Sequence, residues 1–116
     1  MKVDVSIVML TWNRASYLKI GLKKLFASLT PESKLSHEII FMDNGSTDDT
    51  LEVISEYESL PNVRIIKNKE NLGLNAYKKL FCMARGKYII ELDDDVLDFP
   101  VGFDVIMVDY LEHFHD

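Results

Sequence analysis

The sequence contains one cysteine, Cys82, in 116 residues, so neither an intramolecular disulfide nor a thiolate zinc site holds the chain together. Three prolines and five glycines are too few for a low-complexity or linker-like segment. No apolar run approaches the roughly 20 residues needed to cross a bilayer. Basic residues are also short, 13 Lys and Arg against 19 Asp and Glu, and the net charge is −6. That field argues against general binding to nucleic acid or to anionic lipid, which need a positive surface. Met1-Lys2-Val3-Asp4 places an acid where a signal peptide begins its apolar stretch. The expectation is a soluble, cytoplasmic protein, at most peripheral to a membrane, with no transmembrane segment.

What is present is ordinary for one compact domain over 1–116: 47% hydrophobic and 28% charged residues, enough to bury a core without staples. Residues 3–10 are apolar and β-branched, as in a strand covered on both faces. Residues 14–29 carry Leu18, Leu22, Leu25, Phe26 and Leu29 at helical spacing, with Lys19, Lys23 and Lys24 opposite and Ser16 as the candidate cap. After a polar stretch around Pro31, residues 38–42 form a second strand. Residues 47–60 then read as an amphipathic helix with Leu51, Ile54 and Tyr57 or Glu58 on its inner edge. Residues 63–66 make a third strand. Residues 74–85 make a helix with Ala76, Leu80, Phe81 and Ala84 inward, stopped by Gly86. Residues 87–92 form a fourth strand, and a last helix holds Val105, Val108, Tyr110 and Leu111.

The resulting βαβαβαβα order implies a Rossmann-like, three-layer α/β/α domain with a mostly parallel sheet and right-handed crossovers. In such sheets ligands bind beyond the carboxyl ends of the strands. The polar clusters fall there: Thr11-Trp12-Asn13-Arg14, Asp43-Asn44-Gly45-Ser46, and Asp93-Asp94-Asp95.

Three adjacent carboxylates after an apolar strand repel one another, and Mg²⁺ or Mn²⁺ is the natural way to offset that. Strand alternation would turn Asp93 and Asp95 to one site as candidate metal ligands and Asp94 elsewhere. A solvated turn cap is the structural alternative. In the second cluster, Gly45 suits a tight turn and Ser46 or Thr47 suits a helix cap. Asp43, ending an apolar strand on the ligand edge, is the residue placed to accept hydrogen bonds from a base or ribose. Asn71-Leu72-Gly73 reads as a turn. Lys78 and Lys79 read as solvated lysines or phosphate neighbours. His37, His113 and His115 show no ligand spacing, and Cys82 and the methionines read as core filling.

The order and spacing of these clusters resemble the family 2 glycosyltransferases of the GT-A fold over essentially the whole chain. Residues 5–14 are similar to the family's opening strand and its Pro-Thr-Tyr-Asn-Arg turn. Residues 38–48 are similar to its strand ending in Asp-Asp/Asn-Gly-Ser-x-Asp. Asn71-Leu72-Gly73 is similar to its Asn-x-Gly turn, and residues 84–95 to the strand entering its Asp-x-Asp motif.

The resemblance implies that Thr11 and Asn13 line a nucleotide pocket that takes in Arg14, Asn44, Asn71 and Gly73, with Asp43 on the base. It implies that Asp93 or Asp94 holds the ribose and that Asp95 ligates a metal bridging two phosphates. The donor would be a nucleoside-diphosphate sugar, UDP-sugar favoured, and the acceptor a saccharide or a lipid- or protein-linked group. The reaction would invert the sugar carbon in one in-line displacement, with a carboxylate taking the acceptor proton.

Leu10 and Trp12 replace the family's proline and tyrosine. The third helix lacks its Ala-Arg-Asn, so the basic contact falls on Lys78 or Lys79 or is lost. The acceptor-binding half and its catalytic base are not found in these residues, since Asp98, Asp104 and Asp109 lie too near the acidic motif or in the last helix. The expectation is therefore a truncated or split donor-binding domain. A non-catalytic assembly module stays open, with an apolar face around Ile106, Val108 and Tyr110 as the surface for a partner or a homodimer. A phosphatase of the haloacid dehalogenase type would need later strands, and a receiver domain would need acids after its first strand.

Overall fold

The computed structural model describes residues 2–29 and 35–114; the polar stretch around Pro31, and His115, lie outside the described residues. The elements are β1 (Val5–Thr11), α1 (Ala15–Ser28), β2 (His37–Asp43), α2 (Thr50–Ser55), β3 (Val63–Lys67), α3 (Asn75–Met83), β4 (Tyr88–Glu91) and α4 (Phe103–Phe114). The four strands form one parallel sheet in the order β3-β2-β1-β4. This is the α/β architecture that the alternating periods imply.

Strand alternation divides the core in two. Val5, Ile7 and Met9 of β1 pack with Ile39 and Phe41 of β2 against Leu18, Leu22 and Leu25 of α1, Val53 and Ile54 of α2, and Phe103 and Val108 of α4. On the opposite face Val8, Ile40 and Met42 pack against Ala76 and Leu80 of α3. A strand buried on both faces must be apolar at every position, which is why β1 and β2 read as continuous runs.

Glu38, level with the buried Ser6, is the charged exception on the α3 face. It is 3% exposed, and it is surrounded by donors. Ser6 Oγ and the Arg85 N–H donate to Oε2, while the Arg85 and Arg64 guanidiniums reach Oε1 at 3.1 and 3.0 Å. Burial pushes its pKa up, and the bonds from Ser6 and Arg85 with the charge of Arg64 outweigh it, holding the carboxyl below its ordinary value.

Several local expectations are corrected. Ser16 lies inside α1 and does not cap it. Arg14 occupies the cap position, and the free amides of this helix end are met from the β2–α2 loop and the first residue of α2: Thr50 Oγ1 accepts the Arg14 N–H at 2.9 Å and Asp48 Oδ2 accepts the Ala15 N–H at 3.3 Å. The second helix is only Thr50–Ser55, and its start is not capped by Ser46 or Thr47, which bond to Asn13 instead. Its other end tightens into i→i+3 turns at Tyr57, Glu58 and Leu60 before Pro61. Glu58 is exposed, so Tyr57 is the inner residue.

Phe81 is 40% exposed and stacks on Tyr77 instead of entering the core. Gly86 is not the stop of α3, which ends at an extended Ala84. It is demanded by β1: a Cβ on Gly86 would sit 2.5 Å from the Ser6 nitrogen. Cys82 is exposed, not core filling. Val108 is buried, so the exposed apolar face of α4 is built on Ile106, Met107 and Tyr110. His37 has a partner after all: its Nε2 lies 2.7 Å from Oδ2 of the buried Asp104, tying the start of β2 to the first turn of α4.

Candidate functional site

Because α1 and α2 lie on one face of the sheet and α3 on the other, the chain reverses its winding between β1 and β4. The gap beyond their carboxyl ends is where a sheet of this kind takes a ligand. Register brings the polar clusters to that edge. Thr11 is level with Asp43, and Asp43 with Lys67. On the other side Val8 is level with Glu91, and the Leu92 N–H continues the ladder to the Val8 carbonyl at 2.9 Å, which puts Asp94 beside Thr11.

Asp94 is thus the acid of the triplet that enters the gap. Thr11 Oγ1 donates to its Oδ2 at 2.9 Å, and Arg14 Nε lies 3.5 Å from its Oδ1. Alternation sends Asp93 to the α3 face with Glu91, where Tyr77 joins them. Burial raises the Glu91 pKa first, the charge of Asp93 adds to it, and the hydrogen bond from the Tyr77 phenol opposes both. The Tyr77 phenol is raised too, by burial and then by Glu91 and Asp93. The strand ends at Glu91 and Asp94-Asp95 form a turn, so period-two reasoning runs out before Asp95, which is exposed.

Asp43 has the least balanced environment in the site. It is 3% exposed, and Oδ2 accepts the Ser46 N–H at 3.3 Å. Its Oδ1 is buried with no hydrogen-bond partner among the described residues. A buried carboxylate oxygen left unmatched costs on the order of 1–3 kcal/mol, a cost that a ligand donor would remove.

The loops around this oxygen are braced. Asn13 sits at φ +51°, a left-handed conformation that asparagine tolerates. Its N–H donates to Ser46 Oγ at 3.0 Å, and its Oδ1 accepts the N–H groups of Thr47 and Asp48 at 2.8 and 3.3 Å. Asn44, 4% exposed, does the same for the next loop. Its Oδ1 accepts from Asn68 Nδ2 and the Leu72 N–H, and its Nδ2 donates to Asn71 Oδ1 at 3.0 Å, which in turn accepts the Gly73 N–H. Gly45, at φ +81°, lets these loops touch, since a Cβ there would lie 2.7 Å from the Glu70 carbonyl carbon.

The structure therefore brings Thr11, Arg14, Asp43 and Asp94 to one edge. It places Asn13, Asn44, Asn71 and Gly73 in the loops that frame it. Lys79 is committed to Asn68 Oδ1 at 2.9 Å, while Lys78 is exposed on α3. Asn68, Tyr77 and Glu91 were not singled out in the sequence. Asn68 follows the third strand on the ligand edge, and Glu91 precedes Asp93 by two residues, so strand position and alternation were the signals available. Among the described residues no three His, Cys, Asp or Glu side chains converge as a metal cage.

Residues 6–113 match the profile of glycosyl transferase family 2. The dolichyl-phosphate beta-glucosyltransferase of Dictyostelium discoideum is 37% identical over 84 residues, 69% of this chain and 26% of that protein. TarS of S. aureus, solved in complex with UDP-GlcNAc, superposes with a TM-score of 0.81 at 20% identity, over 97% of this chain and 32% of that one. Mannosyltransferase PcManGT from Pyrobaculum calidifontis, in complex with GDP-Man and Mn²⁺, gives 0.78 at 22% identity, over 96% and 33%. At such identities the structural likeness establishes the fold, that of the GT-A transferases. The chain spans about a quarter to a third of each of these proteins.

Proposed function

The chain belongs to glycosyl transferase family 2, and on that premise we propose that it is the donor-binding portion of an inverting, metal-dependent transferase using a nucleoside-diphosphate sugar. The observation that carries this reading is the partnerless Oδ1 of Asp43, buried on the ligand edge of the sheet within a braced pair of loops. A base or ribose donor is the hydrogen-bond partner that position suits. Across β1 from it, Thr11 and Arg14 hold Asp94 in place for the ribose. Asp93, turned to the α3 face beside Glu91, does not share a site with Asp95 as strand alternation implied, and the exposed Asp95 remains as the carboxylate donor to a cation.

That donor set fits Mg²⁺ or Mn²⁺. Such ions are commonly held by one or two carboxylates with substrate phosphates completing the shell, so no all-protein cage is required. When bound, the cation would supply charge stabilisation on the departing diphosphate. The sugar carbon would lose its bond to the diphosphate oxygen as it gains one to the acceptor hydroxyl, whose proton passes to a carboxylate outside these residues. The UDP-GlcNAc and GDP-Man complexes of the structural neighbours support uridine and guanosine diphosphates as probes, uridine first. Saccharide and lipid- or protein-linked groups are the acceptor classes; the Dictyostelium relative's name supports a lipid-linked phosphate among them. No helix among the described residues is long and apolar enough to cross a membrane.

Calorimetric titration of UDP and GDP, with and without Mn²⁺, tests the proposal on the wild type and on Asp95→Ala. The expected outcome is Mn²⁺-dependent binding of one nucleotide, with the Mn²⁺-dependent gain reduced about tenfold or more in the variant, the loss of one good charged contact. No binding of either nucleotide at millimolar concentration would overturn it. The exposed Ile106, Met107 and Tyr110 of α4, with Val101 at 85% exposure nearby, favour a second reading, an assembly module that pairs with a second copy. Sedimentation at high protein concentration would then show a dimer, and a monomer there would dismiss it.

A further inference from the structure

Gly21 lies in the middle of α1, where glycine destabilises a helix by roughly 0.5–1 kcal/mol relative to alanine. It is buried, and the reason for its missing side chain is specific: a Cβ at this position would stand 2.5 Å from the backbone oxygen of Val96 and 3.7 Å from its carbonyl carbon. Val96 directly follows the Asp93-Asp94-Asp95 turn. The obstacle is therefore main chain, and it cannot be relieved by a change of rotamer.

The contact matters because of how the acidic segment is held. On its amino-terminal side it is fixed by the Leu92 amide on β1 and by the bond between Thr11 and Asp94. On its far side it is fixed by Phe99, which packs on the core and against Phe103. Between these anchors Val96 and Leu97 are 37% and 42% exposed, so neither is locked into the core and their partial burial does not by itself fix the path of the chain. What lies beneath is the bare helix surface at Gly21.

We propose that Gly21 is a positioning residue for the acidic turn, its bare backbone seating the Val96 carbonyl on α1 and so setting where Asp95 presents its carboxylate to the metal–diphosphate group of the donor. The inference rests on the donor-binding reading above. A side chain at position 21 lifts Val96 off the helix and displaces Asp95, while Thr11, Asp43 and their loops, anchored on the sheet, stay in place. A glycine that served only helix packing would affect stability and leave the metal dependence of binding alone.

The test is UDP binding by calorimetry, with and without Mn²⁺, for the wild type and Gly21→Ala, alongside thermal melts and circular dichroism. In a folded Gly21→Ala protein, metal-free UDP binding is expected to stay within about twofold of the wild type while the Mn²⁺-dependent gain falls about tenfold, the effect of displacing one charged contact. A folded variant that keeps the full Mn²⁺ gain overturns the inference and leaves the donor-binding reading intact. A wild type with no Mn²⁺-dependent binding overturns both. Should the variant not fold, amide spectra of the wild-type protein decide: Mn²⁺ with UDP must broaden the Gly21 amide resonance, and an unbroadened Gly21 sinks the inference.

Discussion

Replacing Asp43 with asparagine is expected to weaken UDP binding about a hundredfold while leaving the fold as stable as before or more so. The loss corresponds to about 2.7 kcal/mol, within the range for hydrogen bonds that involve a charged group. The stability side of the prediction follows from the unpaired acceptor of the residue. Oδ1 is buried without a partner, so the ligand-free protein carries the cost of an unmatched carboxylate oxygen. Asparagine keeps an acceptor for the Ser46 N–H and replaces the unmatched charged oxygen by a neutral amide nitrogen, which costs less to leave buried. A structural acid would behave in the opposite way, because its removal would lower the melting temperature. Titration calorimetry and a thermal melt on the same preparation separate the two cases, and a destabilised variant with unchanged affinity would remove Asp43 from the site. Function held at a cost to stability is a common pattern in binding edges.

The largest effect on stability is expected at Glu38. Glu38→Ala should cost about 3 kcal/mol, the low end for removing one member of a buried charge network. It is the low end because the side chains of Arg64 and Arg85 are 36% and 62% exposed and are able to turn to water. Ser6 Oγ and the Arg85 N–H lose their acceptor, and Ser6, fully buried, has no such escape.

The pH dependence has a definite sign. The folded carboxyl titrates below its ordinary value, so between the two values the unfolded chain binds more protons. The stabilisation is fully present above the ordinary carboxylate range and is lost as pH falls through the lowered value. Asp48 contributes to the acid limb in the same direction: burial works against its charge, and the Thr50 hydroxyl, the Thr50 N–H and the Ala15 N–H outweigh it. Denaturant unfolding of wild type and Glu38→Gln from pH 7 to pH 3 isolates the Glu38 share. The gap between the curves should narrow toward pH 3, and a constant gap would show that the charge of Glu38 is not what stabilises the fold.

Glu38 also shows where reading the chain by pattern stops. In the run from Glu38 to Met42 it passes as the polar start of a strand. Its donors come from Ser6, Arg64 and Arg85, none of them adjacent in sequence, and only the parallel register brings them to one carboxylate. The same holds for the start of α1. Ser16 was the local candidate for the cap, but the groups that meet the helix amides belong to Asp48 and Thr50, more than thirty residues away. Those bonds also explain the short second helix, since residues 46–48 spend their hydrogen-bonding groups on Asn13 and Ala15 and the helix begins only at Thr50.

Gly21 and Gly86 make the point for packing. The sequence offers a glycine inside a helix and a glycine after one, and both invite a local explanation. Each is required by main chain from elsewhere, Val96 in one case and Ser6 in the other.

By itself the sequence determined the order of elements, the burial of β1 on both faces, and the three polar clusters at the strand ends. It also carried the family, because the spacing of Asp43-Asn44-Gly45 and the acidic triplet survives as a linear signal. These properties depend on periods of two and 3.6 residues and on residue types near one another along the chain. The tertiary structure alone decided that Asp94 is the acid bonded to Thr11 and Arg14, that Asp43 holds a buried oxygen without a partner, and that the Asn13 and Asn44 amides brace the loops around it. Each of those facts is a relation between segments far apart in sequence, fixed by strand register and loop contact, and a one-dimensional pattern has no term for such a distance.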